Sequence, residues 1–227
     1  MGRFNDSNNF LYLTGALLVL LIVTPLLNTM PLSFAYWAVK GTTAATIIVS
    51  FLSLDYGPIW RKFNITLVLI LFVSSLERTF SDWQPVPLLD LSVTLVFFLG
   101  VVYSAARRVL LSGEVDTNSI IGAIAIYLLL GLIWATIYLI VLEFSPTAFN
   151  GMEHLPWEEN FSRSTYFSYV TLTTLGYGDI SPAEPVSRVL VYLEAMAGTF
   201  YMAVVIASLI GARSGKRTTK NKDKNYE

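Results

Sequence analysis

Six apolar runs set the terms on which this 227-residue chain can fold: roughly 10–27, 32–54, 63–80, 88–108, 119–143 and 185–211. Each approaches the ~20 residues that an α-helix needs to cross a hydrocarbon layer about 30 Å thick. Hydrophobic residues make up 54% of the chain and charged residues only 14%, with a mean hydropathy of +0.59. A soluble domain of this length has too little interior to hide that much apolar surface, so the solvent for these runs is lipid. The first run does not read as a secretory signal: only Arg3 precedes it, no small-x-small cleavage site ends it, and further spans follow.

The breaks between runs are turn and linker chemistry. Asn28 to Pro31 makes a tight turn, Asp55-Tyr56-Gly57-Pro58 ends the second span, and Pro85 and Pro87 precede the fourth. The polar stretch Ser112 to Asn118 can cap the fifth helix. The expected organisation is a tail over 1–9, a four-helix membrane domain over 10–111, a linker over 112–118, a second membrane domain over 119–212 and a short basic tail over 213–227. Placing the amino terminus in the cytoplasm puts eleven Lys and Arg inside and three (Arg78, Arg163, Arg188) outside, with Lys40 left within the second span. That asymmetry satisfies the positive-inside rule, so both termini are expected in the cytoplasm of a multi-pass protein of the plasma or inner membrane.

Several function classes drop out. A net charge of −1 gives no reason to expect nucleic acid as a partner, and the absence of cysteine removes disulfides and thiolate metal sites. The lone His154 is expected to be a solvated loop residue, and no cofactor is expected. Away from the ends of the spans, in the membrane interior, only Glu194 and Lys40 stand out from a background of hydroxyls. That leaves no nucleophile, base or metal set, so an enzyme is not expected.

The segment between the fifth and sixth spans is of a different kind. An acidic outer loop with Glu153, Glu158 and Glu159 leads to a short helix near 162–174, for which Ser162 is a plausible N-cap. Thr171-Leu172-Thr173-Thr174-Leu175-Gly176-Tyr177-Gly178-Asp179 then closes it. A re-entrant helix and loop is tolerated at membrane depth only where protein buries it or it lines water. Gly176 and Gly178 allow φ > 0, which can aim successive carbonyls to one side, where their oxygens replace the hydration shell of a cation. Thr174 can add its hydroxyl oxygen. Tyr177 is expected to point away and to pack and hydrogen-bond behind the loop. The short helix aims its carboxyl end, kept polar by Thr171, Thr173 and Thr174, at the centre of the membrane, where its partial negative charge favours a cation.

On these residues, 119–212 resembles the pore module of the tetrameric potassium channels: outer helix, turret, pore helix, TTLGYGD selectivity filter and inner helix. The whole chain resembles a six-transmembrane prokaryotic-type member of that superfamily. The match is specific over about 160–211 and looser before it. The fold implied is an all-α membrane protein with six transmembrane helices plus a re-entrant pore helix and filter loop. The function implied is passive conduction of K⁺, the permeant ion, through a homotetramer embedded in membrane lipids. Carried over residue by residue, the K⁺-binding carbonyls belong to Thr174, Leu175, Gly176 and Tyr177, with Gly178 and Asp179 completing the filter. Leu175 stands where valine is commonest in the family. Tyr166, Phe167 and Tyr169 resemble the family's aromatic cuff, and Val170 occupies a position where some members carry a glutamate that partners the filter aspartate, so Asp179 needs another partner.

In the sixth span, Gly198 lies 24 residues after Thr174, the spacing of the family's hinge glycine. Hinging and close packing against the pore helix are equally compatible with it. Thr199, Met202 and Ile206 fall on one helical stripe that could line a cavity, and Ile210 could narrow its inner mouth. Glu194, a carboxylate inside a span, is expected behind the filter near pore-helix hydroxyls, tuning structure or gating. The fourth span holds Asp90 and no basic residue before Arg107 and Arg108, so the first four helices are not expected to sense voltage. The competing readings are a less selective monovalent cation channel and a noncatalytic membrane scaffold or regulatory subunit.

Overall fold

The computed structural model describes residues 9–27, 62, 65–66, 69–70, 86–111, 117–207 and 211. It is mostly helical: α1 Asn9–Leu27, α2 Val86–Leu111, α3 Thr117–Phe144, α4 Trp157–Leu172 and α5 Pro185–Phe200, the last running into a π-helical segment Tyr201–Ile206. Pro87–Val109, Thr117–Phe144 and Pro185–Val205 are each long and apolar enough to cross a membrane, and Phe10–Leu26 forms a shorter apolar helix. The expected second and third spans, with Lys40 and the breaks at 28–31, 55–58 and 85, lie almost wholly outside the described residues. So do Ser112 to Asp116 of the linker, Ile210 and the basic tail.

Helix α3 is the hub on which α1, α2 and α4 pack. The reason is legible in residue spacing. Leu13, Leu17 and Leu20 of α1 recur at one helical face, as do Phe97, Val101, Ala105 and Val109 of α2, and all are buried against Ala125, Leu129, Leu132 and Ile133 of α3. Gly122 permits a close approach: a Cβ there would lie 2.6 Å from the Val109 side chain and 2.9 Å from the Phe10 ring. Thr14 adds polar contact, donating to the carbonyls of Phe10 at 2.8 Å and Ile121 at 3.3 Å. Helices α1 and α2 therefore share one core with α3.

A second core forms at the far end of α3. Tyr138 and Leu142 meet Ala148, Phe149 and Met152 of the following loop, Phe167 of α4 and Ile180. The loop is pinned by an antiparallel pairing the sequence reading had not foreseen: β1 Phe149–Asn150 against β2 Ser181–Pro182. Gly151, at φ 78°, sits so close to the Asp179 carbonyl that a Cβ would collide with it. The outer loop is thus held directly against the end of the Thr-rich loop.

Helix α5 buries only Ser187, Glu194 and Gly198, and leaves Val186, Tyr192, Met196 and Phe200 about half exposed or more. An apolar helix with so little covered in one chain needs lipid or further protein around it. Its start is well specified. Glu184 and Ser187 form a reciprocal capping box, with Pro185 as the first helical residue. The Glu184 carboxylate also accepts from Ser145 at 2.6 Å and Thr147 at 2.7 Å, hydroxyl bonds that hold it below the usual carboxylate range.

Candidate functional site

The short helix begins five residues earlier than its sequence suggests. Pro156, not Ser162, is the N-cap of α4, and Glu158 and Glu159 belong to its first turn rather than to the outer loop. The physical reason is the helix dipole: two carboxylates at the amino end favour initiation there, directly after a proline with extended ψ. Asn160 ties the entering chain down by donating to the Glu153 carbonyl at 2.7 Å.

Hydroxyls bind α4 to α3 in antiparallel register. Ser164 donates to the Ala135 carbonyl at 2.7 Å, Ser168 to that of Gly131 at 2.7 Å, and Tyr127 back to that of Leu172 at 3.3 Å. Tyr169, one of the expected cuff aromatics, donates to the Leu128 carbonyl at 2.5 Å. Away from water such bonds and small residues replace the hydrophobic effect as helix glue. Gly131 makes the approach possible, since a Cβ there would stand 2.5 Å from the Tyr169 ring. Phe167 packs with ring centroids 5.1 Å from Tyr138 and 5.6 Å from Phe149. Thr171 is buried and Thr173 turns back to the Tyr169 carbonyl at 2.6 Å.

The chain then leaves the helix by folding amides onto its carbonyl end. Thr174 N–H donates to Thr171, and both Leu175 and Gly176 donate to Val170. Thr174, Gly176 and Gly178 have φ of 60°, 57° and 82°, while Leu175 and Tyr177 between them do not enter the left-handed region. An extended strand points successive carbonyls to opposite sides; alternating the hand of the backbone turns them to the same side. The glycines were legible for this role. Thr174 was not: a residue with a Cβ held at φ 60° carries a strain of about 1–3 kcal/mol, a feature that clusters at functional sites.

Residues 173–179 are all exposed in one chain. Among the described residues of one chain nothing covers Tyr177, which is 68% exposed, and Leu175 is 55% exposed. The packing expected behind Tyr177 is therefore not supplied by the described residues of a single chain. Asp179 does find a partner. Tyr166 donates to its carboxylate at 2.8 Å, across a cleft of about 630 Å³ also lined by Gly151, Glu153 and Arg163. The signal was present in the sequence, since Tyr166 lies one helical turn before Val170 and shares its face.

Glu194 is fully buried behind the loop. Its carboxyl lies 2.5 Å from the Ser168 hydroxyl and accepts from the Tyr138 hydroxyl. Ser168 and Tyr138 were not among the residues picked out from the sequence. Gly198, one turn on, is pressed against Leu172 so that a Cβ would collide with its carbonyl oxygen. Of the two readings of Gly198, this geometry carries close packing.

The stripe expected from Thr199, Met202 and Ile206 presumed a uniform α-helix. The π-helical segment over 201–206 widens the turn there, so α-helical spacing does not describe this stretch. Thr199 is exposed and back-bonded to Ala195 at 2.9 Å, and Met202 is 51% exposed. Tyr201, missed by the sequence reading, donates to the Ala123 carbonyl at 2.6 Å, and its ring lies tilted against that of Tyr127 with centroids 5.6 Å apart. Among the described residues no group of His, Cys, Asp and Glu is arranged to hold a metal ion.

Known proteins place this region. Residues 126–212 match a family described as ion channel. The inward rectifier potassium channel Kirbac3.1 of Paramagnetospirillum magnetotacticum is 42% identical over 59 residues. That match covers 26% of this chain and 20% of the relative, so the chain is matched to about one fifth of that protein's length. No solved structure matches significantly. The similarity of residues 126–212 is thus to an ion channel, a non-enzymatic class of membrane protein, and for the 59-residue match to a potassium channel.

Proposed function

We propose that this chain is one subunit of a homotetrameric channel that conducts K⁺ selectively and passively across the plasma or inner membrane. The observation that carries the reading is the alternation of positive φ at Thr174, Gly176 and Gly178 in an exposed loop at the carbonyl end of α4. Carbonyls turned to one side of a strand are what a dehydrated cation needs, and a single strand supplies only one side of a coordination cage. Four copies around an axis complete it, and the uncovered Tyr177 and apolar α5 then gain neighbours. The filter's Asp179 end faces outside and both termini face the cytoplasm. The absence of basic residues along the fourth span before Arg107 argues for a pore without its own voltage sensor.

The test is the reversal potential of purified protein in planar bilayers with K⁺ on one side and Na⁺ on the other. A reversal far from zero in the direction set by K⁺ is expected; a robust current reversing near zero would replace this reading with a less selective cation channel. In the same assay, Tyr166→Phe frees the Asp179 carboxylate without changing the shape of the ring. It is expected to shorten K⁺-current openings and reduce the rise in thermal stability on adding K⁺. Unchanged openings and stability would mean that the 2.8 Å bond does not steady the filter.

A further inference from the structure

Glu194 is 0% exposed, inside a span, and among the described residues no Lys, Arg or His stands beside it. The titratable groups facing it come from two other helices: Tyr138 and Tyr127 of α3 and Tyr169 of α4. A carboxylate there would have no cation to balance it, in a setting where charge is costly.

The proton inventory of the cluster is decisive. Three oxygen–oxygen contacts link it: Tyr138 hydroxyl to Glu194, Glu194 to Ser168 hydroxyl at 2.5 Å, and Ser168 hydroxyl to the Gly131 carbonyl at 2.7 Å. Each contact needs one proton. The Tyr138 and Ser168 hydroxyls supply one each, and the Gly131 carbonyl supplies none. With Glu194 ionised, one contact is left without a proton. With Glu194 protonated, every contact is filled: Tyr138 donates to Glu194, Glu194 donates to Ser168, and Ser168 donates to Gly131.

We propose that Glu194 carries its proton in this structure and acts as a positioning residue, closing a one-directional relay that fastens inner helix, pore helix and outer helix together behind the filter. Loss of the proton to hydroxide reverses one link. Ser168 then turns its hydrogen to the new carboxylate and releases Gly131, which loosens α4 from α3 at the turn directly preceding the filter. The cluster is therefore a latch that releases at alkaline pH. The current readout rests on the channel reading above; the vibrational one does not.

The experiment is infrared spectroscopy of the full chain in lipid, comparing wild type with Glu194→Gln. An amide keeps the donor to Ser168 and the acceptor for Tyr138, so the variant is expected to assemble and conduct as wild type does. At neutral pH the wild type is expected to show the carbonyl band of a protonated carboxylic acid, shifted in heavy water, lost on alkalinisation and absent from the variant. K⁺ current is expected to fall on alkalinisation in wild type and not in the variant. A difference spectrum without that band overturns the proposal. So does a Glu194→Gln protein that fails to assemble while wild type succeeds, because the charge would then be required. Equal alkaline loss of current in both overturns the latch while leaving the channel reading intact.

Discussion

Gly198→Ala is expected to abolish most of the assembled protein. A Cβ at this position runs into the backbone oxygen of Leu172, the last residue of α4, and a backbone atom in a helix end cannot step aside as a side chain can. Overpacking of a close contact costs about 1–3 kcal/mol, and here the displaced atom belongs to the turn that enters the 173–179 loop. The sign of the effect separates two accounts of this glycine. As a hinge, its replacement by the better helix former would stabilise the inner helix by about 1 kcal/mol and impair only bending. As a packing contact, it destabilises. The measurement is the thermal stability and yield of the purified oligomer, with Gly15→Ala as the control, since a Cβ on Gly15 meets nothing within 4 Å. A variant as stable as wild type or more so would return the hinge to favour.

Gly178→Ala is expected to leave the fold standing and remove selective conduction. No heavy atom lies within 4 Å of a Cβ built on Gly178, so the change meets no clash in one chain; the penalty lies in the backbone. At φ 82° an L-residue costs roughly 1–2 kcal/mol, which the peptide can relieve by rotating and carrying a carbonyl out of line. The reversal potential against Na⁺ is expected to collapse towards zero, or the current to vanish, while helical content and assembly stay near wild type. Retained selectivity would show that left-handed geometry at 178 is not needed for ion coordination. Gly176→Ala, at φ 57° and equally open, is expected to behave in the same way.

Much of the site could be read from residue types because local backbone chemistry dictates it. Gly176 and Gly178 announce left-handed positions since few other residues adopt them, and the Thr-rich end of α4 announces a polar terminus at membrane depth. The left-handed backbone of Thr174, a residue already placed in the loop by type, was not legible for the converse reason. Threonine resists φ 60°, so the surrounding hydrogen bonds impose that conformation and its side chain gives no sign of it. The start of α4 was misplaced because Ser162 is a better cap by type than Pro156, yet two carboxylates in the first turn and the tie from Asn160 outweigh one hydroxyl.

The partners of isolated polar residues depended on which helices meet. An unpaired Glu194 in an apolar run marks a site from sequence alone, because burying a carboxyl without reason is costly. That Tyr138 and Ser168 receive it follows only from the crossing of three helices far apart in the chain. Asp179, by contrast, takes its partner from the helical face one turn before Val170, where Tyr166 lies. Apolar run lengths, charge asymmetry and the two glycines determined the helical membrane class and the site's location, because these are local properties of short segments. The tertiary structure decided hydrogen-bond partners, the close approach of Gly198 to Leu172 and the π-helical turn after it, because those depend on the distance between surfaces that no single segment encodes.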